Sequence, residues 1–106
     1  SGHGSRQFDS SPIPLHQISK IRKSINKSTV LIYDTGIRNG EDILKALCLG
    51  ADFVMIGKHA LFSIAAEGFD GLVQMTNNLK KEIEIAMAQM GNFDINKLNS
   101  KYLNDF

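Results

Sequence analysis

The sequence contains one cysteine, two prolines and no tryptophan among its 106 residues. A single cysteine excludes an internal disulfide and a multi-thiolate metal site, and it favours a reducing compartment. Twelve basic and eleven acidic residues leave a net charge of +1, so the sequence lacks the excess positive charge typical of nucleic-acid-binding proteins. No apolar run approaches the roughly 20 residues that span a bilayer, and no signal-peptide pattern is recognisable. These absences predict a cytoplasmic protein without a nucleic-acid partner or a transmembrane segment.

The chain nevertheless has enough hydrophobic side chains for a core. Hydrophobic residues make up 42% of the sequence and charged residues 22%, which is ordinary for a globular protein. Two continuously apolar runs that contain β-branched and aromatic residues predict strands, at residues 29–33 and 53–56. An amphipathic segment over residues 41–49, followed by Gly50 as a helix cap, lies between them. The pattern predicts a parallel βαβ unit with strands buried on both faces.

Helical periodicity extends over most of the remaining chain. Pro14 suits the first turn of an amphipathic helix over residues 14–26. A short helix over residues 60–66 and a long one over residues 69–90 follow the second strand, and the tail has a weak helical turn near residues 95–98. The long helix predicts a buried stripe and a solvated face; the stripe comprises Leu72, Met75, Leu79, Ile83, Ala86, Met87 and Met90, and the face comprises Lys80, Lys81, Glu82 and Glu84.

Two parallel strands are too few for a stable sheet with covered faces and edges. Because the sequence begins at Ser1 within a motif, we expect further strands upstream. The fold class that we predict is therefore α/β, as a portion of a larger protein.

The first candidate site follows from His3 and Arg6, which lie three residues apart in a glycine-containing segment. An imidazole suits proton transfer near neutral pH, and a guanidinium binds a carboxylate through two parallel hydrogen bonds. The pair suits a substrate with an acidic proton or hydroxyl beside a carboxylate. The alternative is a polar chain terminus without a site.

The second candidate site comprises the residues after the two predicted strands. Asp34, Gly36 and Arg38 follow the first strand, and Gly57 and Lys58 follow the second. Ligands bind at the carboxyl ends of parallel strands, and backbone amides beside basic side chains favour phosphate. We expect a phosphate site here; the alternative is two ordinary turns with exposed basic residues.

The other chemistry-bearing residues indicate no site. We expect Cys48 to be packed within the second predicted helix. His16 and His59 have no partner at the spacing of metal ligands, so no metal site is predicted.

Three motifs together resemble a known family. They are His-Gly-x-Arg-Gln-x-Asp from His3, Asp-x-Gly-Ile-Arg-x-Gly from Asp34, and Gly-Ala-Asp-x-Val-x-Ile-Gly-Lys from Gly50. The sequence is similar to the C-terminal third of the FMN-dependent α-hydroxy acid dehydrogenases and oxidases, which include the lactate and glycolate oxidases. The resemblance implies the last two strands, with their helices, of a (β/α)8 TIM barrel at residues 1–91, and a C-terminal tail at residues 92–106.

The resemblance also implies roles for individual residues. His3 matches the catalytic base and Arg6 the substrate-carboxylate clamp. Asp34, Gly36 and Arg38 match the FMN ribityl and phosphate loop, whereas Gly57 and Lys58 match a second phosphate turn. Lys58 departs from the usual arginine, which removes a bidentate contact.

The implied reaction is oxidation of a small L-2-hydroxy acid, of lactate or glycolate type, to the 2-keto acid. The family's contacts to the flavin ring precede the matched region, so this chain alone is expected to bind FMN weakly or not at all and to be inactive. It would need a homo-oligomer or a complementary N-terminal chain, and the parent enzyme could associate peripherally with a membrane.

The alternatives are a non-catalytic truncated remnant and a phosphate-binding barrel of the IMP dehydrogenase class, which lacks the His3–Arg6 motif.

Overall fold

The computed structural model describes residues 8–104, and every structural statement below refers to that range. Three helices, two strands and two short 3₁₀ helices follow one another along the chain. In order they are α1 (Pro14–Ser24), β1 (Ile32–Asp34), α2 (Gly40–Cys48), β2 (Phe53–Met55), α3 (Lys58–Met90), and the 3₁₀ helices Ile95–Lys97 and Ser100–Tyr102.

The two strands pair in parallel and are joined through α2, which confirms the predicted βαβ unit. Ile32 lies opposite Phe53, Tyr33 opposite Val54, and Asp34 opposite Met55. Both strands are shorter than the apolar runs that predicted them. The register aligns the carboxyl ends of β1 and β2 at one edge of the sheet.

The prediction that both faces of the sheet are buried is wrong for this chain. Tyr33 and Val54 pack against hydrophobic residues of the helices on one side. On the opposite face Ile32, Phe53 and Met55 are 53%, 61% and 54% exposed. Successive side chains of a strand alternate between faces, and all the helices of residues 8–104 that contact the sheet cover the same one.

The first part of the core lies beneath α1. Ile18 of α1 packs with Ala46 and Leu49 from α2 and its C-terminus, and Ala51 completes this cluster. Pro14 occupies the first turn of α1 as predicted, since its missing N–H has no partner to lose there. Leu103 of the tail also packs against the cluster, so the tail folds back on the domain.

Both ends of α2 are capped by local hydrogen bonds. At the N-terminus the side chain of Asn39 accepts a hydrogen bond from the amide of Asp42 over 2.9 Å. At the C-terminus Gly50 has a φ of +111°, and the amides of Gly50 and Ala51 donate to Leu47 and Ala46. This is a Schellman motif, which confirms the predicted glycine cap.

The helix α3 contains a break at the position that the sequence predicted. Glu67 and Gly68 have non-helical backbone angles, and Gly68 has a φ of +60°. Just beyond it, Gly71 is so close to the first segment that an added Cβ would lie 2.1 Å from the carbonyl oxygen of Ser63. The elbow therefore depends on a glycine at position 71. Gly91, with a φ of +69°, ends the helix.

The predicted stripe of the long helix faces the core. Met75 and Leu79 are buried with Ile37 and Ile43, and Met87 is buried further along the same helix. No helix within the described range is long and apolar enough to cross a membrane.

Candidate cofactor-binding site

Two loops follow the strands at the same edge of the sheet. Asp34 and Met55, the last residues of β1 and β2, are register partners. The loops also share one hydrophobic cluster: Ile37 comes from the first loop, Ile56 from the second, and Ala60 from the first turn of α3. The structure therefore brings together the two segments that the sequence singled out as a phosphate site.

The first loop presents an acidic and a basic side chain that form no hydrogen bond or ion pair with other residues of the described range. The carboxylate of Asp34 is half-buried at the end of β1 and accepts no hydrogen bond from any other residue in the described range. Gly36 has a φ of +64°, a left-handed conformation that favours glycine. Arg38 is exposed, and its guanidinium forms no ion pair with a carboxylate of residues 8–104. These groups are available to a ligand.

The second turn leads directly into the N-terminus of α3. Gly57 is the N-cap residue, and no side chain caps the first amides of the helix. A Cβ added to Gly57 would meet nothing within 4 Å, so the space above the turn is open. Lys58 is exposed in the first turn. Uncapped amides, the positive end of the helix dipole and a lysine together favour an anion.

The N-terminus of α2, in contrast, is already occupied by protein groups. The amide of Gly40 donates a hydrogen bond to the carboxylate of Glu82 over 2.6 Å. The amide of Asp42 donates to Asn39, and the carboxylate of Asp42 accepts from the amide of Arg38 over 3.1 Å. An anion at this edge of the sheet therefore has the N-terminus of α3 and the side chains of Arg38 and Lys58 as its favourable partners.

The predicted exposed face of the long helix is confirmed, since Lys80, Lys81, Glu82 and Glu84 are all exposed, but Glu82 also makes a contact that the sequence does not indicate. Its carboxylate caps α2 although the residue as a whole is exposed, because α2 and α3 approach closely at Gly40. An added Cβ at Gly40 would lie 2.6 Å from the Cβ of Glu82 and 2.7 Å from the amide nitrogen of Ile83. No signal along the sequence links residues 40 and 82, which lie far apart in the chain.

The remaining candidates lie outside the site or outside the described residues. His3 and Arg6 fall outside residues 8–104.

Cys48 is buried, as expected. Burial raises the pKa of its thiol, and a hydrogen bond with the backbone of Asn99 partly offsets that rise. Burial also raises the pKa of the Tyr33 hydroxyl, and the nearby Asp42 raises it further. Over the described part of the chain, no group of three or more His, Cys, Asp or Glu side chains is arranged to hold a metal ion.

Comparison with known sequences gives a family for the chain. The family model for FMN-dependent dehydrogenases matches residues 1–105. A 2-hydroxyacid oxidase of Dictyostelium discoideum is 37% identical over 105 residues, which are 99% of this chain and 27% of the oxidase. An L-lactate oxidase of Lentilactobacillus hilgardii is 36% identical, over 98% of this chain and 28% of that protein. The chain thus spans a little over a quarter of the length of these relatives.

Comparison with solved structures gives the same relationship. The structure is similar to a soluble mutant of the membrane-associated (S)-mandelate dehydrogenase from Pseudomonas putida, with a TM-score of 0.89 and 35% sequence identity. The match covers 100% of this chain and 30% of the dehydrogenase. The whole backbone described above is therefore shared with one segment of a longer chain.

Proposed function

The chain belongs to the FMN-dependent dehydrogenase family, and from this premise we propose that it is the C-terminal portion of a (β/α)8 barrel that oxidises a small L-2-hydroxy acid to the 2-keto acid. The observation that carries the proposal is the pairing of two loops, one with Arg38 and the other with Lys58, at the carboxyl ends of two parallel strands. Active sites of barrel enzymes lie at this end.

The residues of the two loops fit the phosphate end of FMN. Arg38 and Lys58 would hold the phosphate together with the uncapped amides after Gly57, where no Cβ stands in the way. Asp34 would accept a hydrogen bond from a ribityl hydroxyl. When bound, FMN supplies an acceptor for the two electrons removed from the substrate. The loops thus contribute orientation and charge.

His3 and Arg6 are proposed as the residues that act on the substrate. The imidazole of His3 would remove the hydroxyl proton, since its pKa suits proton transfer near neutral pH. The guanidinium of Arg6 would bind the substrate carboxylate through two hydrogen bonds. Both assignments are supported by the motif and by the family match, which includes residues 3 and 6.

The names of the relatives support the proposed substrate class. Both relatives are named for oxidation of 2-hydroxy acids, one of them for L-lactate, and the structural neighbour is named for (S)-mandelate. A lactate- or glycolate-type substrate is our proposal for this chain. A cytoplasmic location is proposed as well, with peripheral association as for the membrane-associated neighbour.

The rest of the barrel is the proposed partner. Residues 1–91 would supply its last two strands, and the tail of residues 92–106 would pack beneath them. The exposed face formed by Ile32, Phe53 and Met55 would be covered by the remaining strands, in a complementary N-terminal chain or in an oligomer.

A chimaeric enzyme tests the proposal. This chain replaces the matching segment of the Dictyostelium 2-hydroxyacid oxidase, and FMN content and stopped-flow flavin reduction by lactate and glycolate are measured. We expect a flavin-loaded enzyme whose His3→Gln variant keeps FMN but reacts about 10² to 10⁴ times more slowly, the usual contribution of a general base.

Two further variants separate the proposed roles. Arg6→Lys should raise KM and slow reduction, because lysine lacks the bidentate contact. Arg38→Ala should lower FMN occupancy with little change in the turnover of the loaded fraction. If the His3→Gln chimaera reduces its flavin at the parental rate, the role of His3 is wrong. A folded chimaera without FMN would favour a non-catalytic remnant.

A further inference from the structure

We propose that Glu82 is a positioning residue for phosphate binding, which sets the place of Arg38 relative to Lys58 by capping α2 from α3. The inference rests on the proposed FMN site and adds a residue that contacts neither phosphate nor substrate. Its starting point is the 2.6 Å hydrogen bond from the amide of Gly40 to the Oε2 atom of Glu82.

The residues on both sides of Arg38 are held against α3. On one side, Ile37 is 6% exposed and packs with Met75 and Leu79. On the other side, Gly40 is in close contact with α3 and is hydrogen-bonded to Glu82. Since residues 37 and 40 are both held on α3, the position of the Arg38 backbone depends on both contacts.

The other basic residue of the proposed site, Lys58, belongs to α3 itself. Lys58 is the first residue of α3, and Ala60, two residues later, packs against the cluster that contains Ile37. The helix α3 therefore carries Lys58 in its first turn and also contacts the loop that contains Arg38. The bond between Glu82 and Gly40 is a polar link between the loop and the helix.

The negative charge of Glu82 and its hydrogen bond to Gly40 should affect anion binding in opposite directions. Glu82 places a carboxylate close to a site proposed for an anion, which by electrostatics alone weakens anion binding. Removing the charge should then tighten binding, whereas removing a positioning hydrogen bond should weaken it. The two roles predict opposite results, so the comparison of variants is decisive.

Binding of FMN to the chimaeric oxidase described above tests the inference, with riboflavin as the matched probe without phosphate. Flavin-free parent and variant enzymes are titrated with each probe, and binding is followed by the quenching of flavin fluorescence. We expect Glu82→Ala to weaken FMN binding at least about fivefold. Glu82→Gln should bind FMN at least as tightly as the parent chimaera, because its side-chain oxygen still accepts from Gly40 while the charge is gone.

Two more variants serve as controls. Glu82→Asp keeps the charge but shortens the side chain, so it should weaken binding as Glu82→Ala does; it also serves if Glu82→Ala does not fold. Glu84→Ala removes an exposed charge from the same helix and should not weaken binding. If both Glu82→Ala and Glu82→Asp bind FMN as the parent chimaera does, or more tightly, Glu82 has no positioning role. If the parent chimaera binds FMN no more tightly than riboflavin, the proposed phosphate site itself is wrong, and the inference fails with it.

Discussion

Arg22 and Asp52 form an ion pair in which Nη2 lies 2.5 Å from Oδ2, although the two residues are 30 positions apart. Nε of the same arginine donates to the carbonyl of Gly50 over 2.9 Å, and Nη1 donates to that of Thr29 over 3.1 Å. Oδ2 of Asp52 also accepts from the amide of Leu31. These contacts join α1 to the segments that precede both strands, at the end of the sheet opposite the candidate site. Their role is therefore in stability.

Replacing Arg22 with lysine tests that role. Lysine keeps the charge, but its single nitrogen cannot occupy the three positions from which Nε, Nη1 and Nη2 donate to separate acceptors. We therefore expect Arg22→Lys to lower the free energy of unfolding by about 1 to 2 kcal/mol. Urea unfolding followed by circular dichroism measures the change. Lys23→Ala, at an exposed position on the same helix, should change it by less than about 0.5 kcal/mol. Equal midpoints for Arg22→Lys and the parent chain would show that the contacts contribute nothing.

Gly40 should not tolerate a methyl group. Alanine favours helices, but the new Cβ would lie within 2.7 Å of the Cβ of Glu82 and the backbone of Ile83. The backbone of Ile83 cannot move away without disturbing α3, so Gly40→Ala is expected to lower the free energy of unfolding by about 1 to 3 kcal/mol. Urea unfolding is again the measurement, with Gln74→Ala at an exposed position of α3 as the control. A stability gain, as helix propensity alone predicts, would contradict the close approach of α2 and α3.

The stability of the chain should fall at alkaline pH through Cys48. Burial raises the pKa of this thiol in the folded state, so folding favours its neutral form. That contribution is complete below the ordinary thiol pKa of about 8.5 and is lost as the pH rises towards the folded-state pKa. Unfolding measured between pH 7.5 and 10 should show a steeper loss for the parent chain than for Cys48→Ala. Parallel curves for the two proteins would rule out this contribution.

The exposed sheet face should make the chain self-associate. Phe53 is 61% exposed beside Ile32 and Met55, and each strand has one edge without a partner in residues 8–104. Sedimentation velocity should show oligomers of the parent chain and a shift towards monomer for Phe53→Asp. Phe93→Asp, at an 86% exposed position in the tail, is the matched control and should leave association unchanged. A parent chain that is a stable, cooperatively unfolding monomer would contradict this expectation.

Flavin binding by the 106-residue chain alone should be weaker than micromolar. The proposed site would hold only the phosphate end of FMN, and most of a ligand's affinity comes from surface buried around the rest of the molecule. Titration of FMN with the chain should leave the 450 nm absorption band unperturbed at micromolar concentrations. A perturbed band at those concentrations would mean that this chain also contacts the ring.

Local patterns predicted most of the fold and the edge of the sheet at which the candidate residues lie. The apolar runs, Pro14, Gly50 and the break at Gly68 act through neighbours a few residues away, so their effects can be read along the sequence. Parallel pairing also followed, since a short helical connection between two strands allows it. For the same reason, the sequence alone places Asp34, Arg38 and Lys58 at one edge of the sheet.

The sequence by itself thus determined the secondary structure, the parallel arrangement of the strands and the loops at their carboxyl ends. Only the tertiary structure decided which backbone amides are already used and which remain for a ligand. Glu82 reaches Gly40 across 42 residues, and Arg22 reaches Asp52 across 30. The exposure of Phe53 likewise depends on which elements are present to cover it. Such contacts depend on the packing of whole helices, and no periodicity or motif within a single segment encodes them.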